Sequence, residues 1–362
     1  MINRIAINTG GGDAPGLNAV IQAATLAAIK RGWEVYGVRE GYSGLLDPQN
    51  YSDGGLVQLT PERVRDISHL GGTILGTVNK GNPFKVTESL RGGMTVETDR
   101  SEELIAAFHR NKLDALIAIG GDGSLTIANS FYQRGLHVVG VPKTIDNDLR
   151  STILSFGYQT AVSFATECID RLHSTAEAHR RIIVVEVMGR YAGWIALNAG
   201  IAGRADAVLI PEIPYEIEIV AGHIRRSSRS YSIVVVAEGA KAAGGDVVVA
   251  AREAGRQERL GGVADQVAAQ LQQRTGKESR AMVLGHLLRG GSPIALDRIL
   301  GLTFGAAAVE ALAQGKNGVM VALQPPHIEF VPIAEAVASL KLVPIDGEGV
   351  MTARALDICL GD

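Results

Sequence analysis

The sequence predicts an α/β fold in two domains, with mostly parallel sheets covered by helices on both faces. Three observations predict it. Short apolar runs, such as Ala115–Ile119 and Ile182–Val187, the latter broken only by Glu186, have the pattern of strands buried on both faces. Segments with helical spacing of apolar residues alternate with these runs along the whole chain. The turn between a run and its helix is repeatedly glycine-rich, as at Gly10–Gly12 and Gly120–Gly123. With 362 residues, 46% of them hydrophobic, the chain is long enough for two domains of roughly 100–200 residues each. A chain of that size buries roughly 75% of the surface its unfolded form exposes.

Taken in order, Arg4–Asn8 is the first strand, followed by Thr9-Gly10-Gly11-Gly12-Asp13-Ala14-Pro15-Gly16 and an alanine-rich helix over Leu17–Lys30. Strand, glycine turn and helix together make a phosphate seat, because the first N–H groups of a helix lack intrahelical partners. The two standard fingerprints fail here. Leu17 and Asn18 stand where a P-loop needs lysine and a hydroxyl residue, and Pro15 stands at the third glycine of G-x-G-x-x-G. On these residues alone a tight βα connection is an equal reading. Glu34–Arg39 is a second strand, Pro61–Leu70 a helix with proline in its first turn, and Gly71–Gly76 another glycine-bracketed turn. Residues 81–98 lack periodicity and read as a surface insertion. Ser101–Asn111 is a helix, with Asp99 and Glu102 spaced as a capping box.

The stretch Leu113–Asp148 is the most informative. Strand Ala115–Ile119 runs into Gly120-Gly121-Asp122-Gly123 and a helix over Ser124–Gln133. The short strand Val138–Val141 then ends in a polar loop, Pro142-Lys143-Thr144-Ile145-Asp146-Asn147-Asp148. In an open α/β sheet both loops leave the carboxyl ends of their strands, where ligands bind. Beyond it follow a long helix (Gly157–Ala178), strand Ile182–Val187 and Met188-Gly189-Arg190-Tyr191-Ala192-Gly193-Trp194 leading into another helix. Strand Ala207–Ile210 ends in Pro211-Glu212, and strand Ser232–Ala237 ends at Glu238. Residues 240–262 are glycine-punctuated and carry a short strand at Val247–Val249. The remaining elements are helix Val263–Thr275, strand Met282–Leu284, a turn over Gly285–Ser292, helix Leu296–Gln314, strand Gly318–Leu323 and a helix near Ile333–Leu340.

Charge is nearly balanced, 35 basic against 38 acidic residues, which argues against nucleic acid or an anionic membrane as partner. Cys168 and Cys359 are too few for a disulfide framework or a cysteine zinc site and fit a reducing cytoplasm. The opening MINRIAIN alternates like a strand without an apolar core, so a secretory signal is not expected, and no apolar run reaches the roughly 20 residues of a membrane span.

Three sets of residues carry chemistry. Asp122, between glycines beside the phosphate seat, has the placement of a Mg²⁺ ligand, since that ion is held by one or two carboxylates and substrate phosphates. The competing reading is an aspartate that caps the following helix. Asp146 and Asp148, two apart, share a face of an extended loop, one as a base on a hydroxyl and the other near a metal. The competing reading is a solvated Asx-type turn. Arg181, Arg190, Arg280 and Arg289, with His179 and His286, all flank apolar strands or sit in glycine turns, where a guanidinium suits a phosphate monoester. A lone arginine there is usually a solvated charge. Together the sets describe phosphoryl transfer from a nucleotide to a small phosphorylated alcohol.

Seven blocks resemble the 6-phosphofructokinase family in its order: GGDAPGLNAVI, GGTILG, IGGDGS, PKTIDND, HRRIIVVEVMGRYAGW, AEG and SRAMVLGHLLRGGSP. They spread from Gly11 to Pro293. The resemblance implies two Rossmann-like three-layer domains. Residues 1–157 plus 288–338 would bind nucleotide and Mg²⁺; residues 158–287 plus 339–362 would bind the sugar phosphate. It implies a cytoplasmic glycolytic enzyme that uses ATP to phosphorylate the C1 hydroxyl of fructose 6-phosphate and works as a homo-oligomer, dimer or tetramer. Asp146 would be the base, with Thr144 and Asp148 lining the transfer site. Gly11, Gly121, Asp122, Gly123 and Ser124 would contact the donor, Asp122 through Mg²⁺, and Lys80 would stand in for an arginine found there in many bacterial members. Met188, Gly189, Arg190, Glu238, His286 and Arg289 would hold the sugar phosphate, joined by Arg181 and Arg280 from a neighbouring subunit.

Gly123 favours ATP, because a second aspartate at that position goes with pyrophosphate in this family, whereas Lys143 occurs in pyrophosphate users and in a subset of ATP users. A pyrophosphate-dependent enzyme is therefore the alternative. More distant ones are an NAD- or lipid-kinase-like enzyme and a non-catalytic regulatory subunit. Ile21 and Thr25 replace the effector-binding arginines of many bacterial members, and residues 81–98 and 240–262 are insertions relative to the short ones.

Overall fold

A computed structural model describes residues 2–78, 81–89, 95–251 and 259–362. The chain divides into two compact units. The first comprises Met1–Thr144, Leu149–Gly157 and Arg289–Leu340; the second comprises Ile145–Asp148, Tyr158–Leu288 and Lys341–Asp362.

The first unit is built on one sheet, in the order His327–Pro332, Val319–Gln324, Val138–Thr144, Ala115–Gly120, Arg4–Thr9, Glu34–Val38 and Leu56–Gln58. The five central strands are parallel, and each outermost strand pairs antiparallel with its neighbour. Phe156–Gly157 adds a short parallel pairing at the carboxyl end of Val138–Thr144. Side chains alternate between two cores, as strand geometry requires. Ile5, Ile7, Ile117, Ile119, Val139 and Val141 face the helices Leu17–Lys30 and Ala295–Ala313. Ala6, Leu116, Ala118 and Val138 face Ser101–Arg110, Asp122–Gln133 and Ile333–Ala336. The result is a three-layer sandwich. The first and last of these helices approach closely through small residues: a Cβ on Gly305 would stand 2.4 Å from the Val20 carbonyl.

The second unit has a parallel four-stranded sheet in the order Ala207–Leu209, Ser232–Ala237, Ile182–Val187 and Ser279–Val283. Ile182, Val184, Leu209, Val234 and Val236 pack on one face with Val220 and Ile224 of helix Ile217–Arg226 and with Val267 and Leu271 of helix Val263–Thr275. Helices Tyr158–His179 and Trp194–Ala202 contact the same strands. The Ser279–Val283 strand forms one edge of this sheet, with Met282 and Val283 exposed.

Several sequence expectations are corrected. The two antiparallel edge strands and the helices Ile217–Arg226 and Glu348–Ala355 were not expected. The helix expected over 61–70 covers only Pro61–Val64, and that near 333–340 only Ile333–Ala336. Within 81–98, Val86–Ser89 and Thr95–Thr98 pair as an antiparallel hairpin. The strand in the second insertion is Val249–Ala251 rather than Val247–Val249. Asp99 accepts from the Ser101 N–H at 2.8 Å, while Glu102 pairs with Arg134 instead of closing a capping box.

Candidate active site

In the first unit, strands Arg4–Thr9 and Ala115–Gly120 lie side by side and lead off to opposite sides of the sheet, which makes their carboxyl ends its topological switch point. The two glycine turns meet there. Gly10 N–H donates to the Ile119 carbonyl at 2.9 Å, and Gly11 N–H to the Val78 carbonyl at 3.2 Å. A Cβ on Gly10 would stand 2.7 Å from Ser124 Oγ, and one on Gly120 would stand 2.3 Å from Ser124 Cβ, so neither position tolerates a side chain without displacement. Gly123 differs, since among the described residues a Cβ there meets nothing within 4 Å.

The helix begins at Asp122 with Gly121 as its N-cap residue, and no side chain caps it. The reading of Asp122 as a helix cap therefore fails. Its carboxylate is partly exposed in the first helical turn and, among the described residues, forms no hydrogen bond or ion pair. A carboxylate there offers one of the oxygen ligands that Mg²⁺ requires, while the N–H groups of the helix start suit the phosphates that would supply others.

Pro142, Lys143 and Thr144 continue the strand to Thr144 rather than forming a polar loop, because the Phe156–Gly157 pairing extends the ladder. Lys143 is buried, and its ammonium donates to the Gly12 carbonyl. Arg289 belongs to this unit as well: its guanidinium donates to the Asp13 carbonyl at 3.2 Å and lies against Gly12. Lys80 falls outside the described residues.

In the second unit, Asp146, Asn147 and Asp148 are 4%, 3% and 5% exposed, which rules out a solvated Asx turn. Asn147 has φ +53°, a left-handed conformation that asparagine tolerates better than most residues. Lys341 packs against this turn. Its N–H donates to the Asp148 carbonyl at 2.7 Å and its ammonium to Asn147 Oδ1 at 3.1 Å. Burial pushes the Lys341 ammonium down to about 8, against the opposing pull of the Asp148 carboxylate.

The Met188–Trp194 segment follows strand Ile182–Val187. Gly189 has φ +145° and Arg190 φ +52°. A non-glycine residue held there costs of order 1–3 kcal/mol and persists only where its surroundings impose it. Glu238 does so, accepting from the Gly189 and Arg190 N–H groups at 3.4 and 3.0 Å. At the other end Glu212 accepts from Gly193 N–H at 3.0 Å and from Val343 N–H at 2.9 Å. Burial raises the Glu212 pKa, and those two N–H groups oppose it.

Arg181 and Arg280 converge on Glu278, at 3.4 and 2.6 Å. Arg280 lies on the edge strand with a side chain 64% exposed, and His286 is exposed in the 3-10 turn Gly285–Arg289. Thus Asp146, Asp148, Met188, Gly189, Arg190, Glu238, His286, Arg181 and Arg280 belong to the second unit. Gly11, Gly121, Asp122, Gly123, Ser124, Thr144 and Arg289 belong to the first. Sequence reasoning gave no role to Glu212 or Lys341. Glu212 had a signal, a carboxylate directly after a strand; Lys341 had none.

A doubly wound sheet with paired glycine turns at its switch point places the chain among the α/β proteins that seat phosphates at strand ends. The family model described as Phosphofructokinase matches residues 4–312. An ATP-dependent 6-phosphofructokinase 1 of Synechocystis sp. is 47% identical over 366 residues, covering 100% of this chain and 99% of its own. A pyrophosphate–fructose 6-phosphate 1-phosphotransferase of Amycolatopsis methanolica is 48% identical over 346 residues, covering 94% and 96%.

Among solved structures, the T-state phosphofructokinase of Pichia pastoris superposes with a TM-score of 0.79 at 32% identity. That match covers 99% of this chain but 37% of the yeast chain, so this protein spans little more than a third of that relative. The pyrophosphate-dependent phosphofructokinase of Marinobacter aquaeolei, 22% identical with a TM-score of 0.79, shares the fold. The chain belongs to the phosphofructokinase family, as its seven motif blocks implied, and the mostly parallel α/β fold expected of that family is present.

Proposed function

We propose that the protein transfers the terminal phosphoryl group of ATP to the C1 hydroxyl of fructose 6-phosphate, giving fructose 1,6-bisphosphate. The observation that carries this is 47% identity along the full chain to ATP-dependent 6-phosphofructokinases, together with open space at Gly123. In this reading the Gly10–Gly12 turn, Gly121 and Ser124 seat the donor phosphates on backbone N–H groups. Asp122 would hold Mg²⁺, which when bound offsets phosphate charge. Asp146 takes the C1 hydroxyl proton, with Thr144 and Asp148 beside the transferring group. Arg190, held by Glu238, binds the sugar phosphate with Met188, Gly189, His286 and Arg289.

Arg181 and Arg280 complete that site in a neighbouring copy of a homo-oligomer. Their support is the shared Glu278 and the exposed edge strand that carries Arg280. Localisation in the cytoplasm accords with an enzyme of glycolysis; among the described residues no helix is long and apolar enough to cross a membrane.

Asp146→Asn tests the assignment of the base. A positioned base contributes typically ~10²–10⁴ in rate, so kcat should fall by about that factor while KM for fructose 6-phosphate stays within about threefold. Wild-type kcat in the variant would remove Asp146 from that role. A second reading, with pyrophosphate as donor, is favoured by Lys143 and by relatives of that name at 47% and 48% identity. Family membership leaves the NAD- or lipid-kinase reading without support.

A further inference from the structure

Four hydrogen bonds and a cation–π contact run from the short segment Lys341–Val343 to groups in and beside the two functional turns of the second unit. Lys341 holds the aspartate turn twice, through its N–H on the Asp148 carbonyl at 2.7 Å and its ammonium on Asn147 Oδ1 at 3.1 Å. The same residue holds the start of helix Trp194–Ala202. Its carbonyl accepts from Trp194 Nε1 at 2.8 Å, and its ammonium lies 5.6 Å from the centre of that indole ring. Two residues on, Val343 N–H donates to Glu212 Oε1, whose carboxylate also accepts from Gly193 N–H. One tripeptide thus ties the turn carrying Asp146 to the end of the Met188–Gly193 turn. Both turns contain a non-glycine residue at positive φ, Asn147 and Arg190, so both need outside contacts to keep their shape.

We propose that Lys341–Val343 is a strut that fixes the Asp146 turn and the Met188–Gly193 turn relative to each other, with Lys341 the positioning residue for phosphoryl transfer. The inference rests on the functional reading above and adds a residue to it. Lys341 works through Asn147, whose amide oxygen it holds, and through the ring of Trp194. Asp146 lies next to Asn147 in the chain, so a change at Asn147 reorients the carboxylate that must meet the C1 hydroxyl. Misplacing a reacting group by about 1 Å from a distance costs on the order of 10²-fold in rate.

The test is a double-mutant cycle in the full-length enzyme between Lys341→Met and Asn147→Ala. Steady-state kcat, KM for ATP and KM for fructose 6-phosphate are measured, with Lys341→Arg as the conservative variant. The strut predicts that each single change lowers kcat roughly 10–100-fold with KM for ATP within about threefold, and that the double variant is no worse than the weaker single. Lys341→Arg, which keeps the charge, should recover part of the loss.

Additive losses would overturn the strut, because they mean the two residues act separately. If Lys341→Met does not fold, Asn147→Ala and Lys341→Arg decide the matter: wild-type kcat in both overturns it. Failure of the functional reading looks different. It is a wild-type protein that does not turn over fructose 6-phosphate at all, and the strut's role in transfer then falls with it.

Discussion

Gly123→Asp separates the fold from the donor. Among the described residues a Cβ added at Gly123 meets nothing within 4 Å, so the backbone position accepts a side chain without moving those neighbours. The position is the second residue of helix Asp122–Gln133, where a carboxylate gains about 0.3–1 kcal/mol from the helix dipole. Removing a helical glycine adds a few tenths more. The variant should therefore melt at the wild-type temperature or up to a few degrees above it.

The same carboxylate would stand beside the donor phosphates. At a separation of about 5 Å and an effective dielectric constant near 20, it repels each unit of phosphate charge by roughly 3 kcal/mol. That is about a 10²-fold loss in kcat/KM for ATP. The assay is fructose 1,6-bisphosphate formation at varied ATP, with thermal melting run in parallel. A folded variant whose kcat/KM for ATP stays within about threefold of wild type refutes the idea that the open space at Gly123 belongs to the donor.

Two further outcomes follow from the second unit. Glu212→Gln keeps an acceptor for the Gly193 and Val343 N–H groups and should cost less than about 1 kcal/mol, whereas Glu212→Ala strands both and should cost about 2–4 kcal/mol in chemical denaturation; equal costs would contradict the bridging role. Lys341 makes stability depend on pH. With the folded pKa about 8 and the unfolded value near the ordinary lysine range, the unfolded chain holds more protons between those limits. The burial penalty is thus fully present below about pH 8 and is relieved as the pH rises toward the unfolded value. Wild type should gain stability relative to Lys341→Met over that window, and a constant difference would contradict it.

Much of the fold was legible because its strands are buried on both faces. Ile182–Val187 and Ser232–Ala237 were located to the residue, since the β-branched runs Ile182–Val185 and Ile233–Val236 mark both strands. What was missed lies at the margins. Leu56–Gln58 and His327–Pro332 are half-exposed edge strands whose mixed composition gives no run, and both depend on a neighbour to form. Helix Ile217–Arg226 buries only Val220, Ala221 and Ile224, a narrow stripe easily read as loop.

The extension of Val138–Val141 to Thr144 could not be read locally either, because it comes from pairing with residues 156–157. At the site, the chemical residues were visible as motifs and their supports were not. Glu238 stood at a strand end and was noticed. Lys341 meets its partners from 193 residues away in sequence at Asp148 and 147 at Trp194, a relation that only folding reveals.

The most direct measurement is turnover of purified protein with fructose 6-phosphate and Mg²⁺, supplied in parallel with ATP or with pyrophosphate. Formation of fructose 1,6-bisphosphate with ATP, at a kcat in the ~1–100 s⁻¹ range of kinases and far above that with pyrophosphate, is the predicted result. Turnover with pyrophosphate and none with ATP would contradict it.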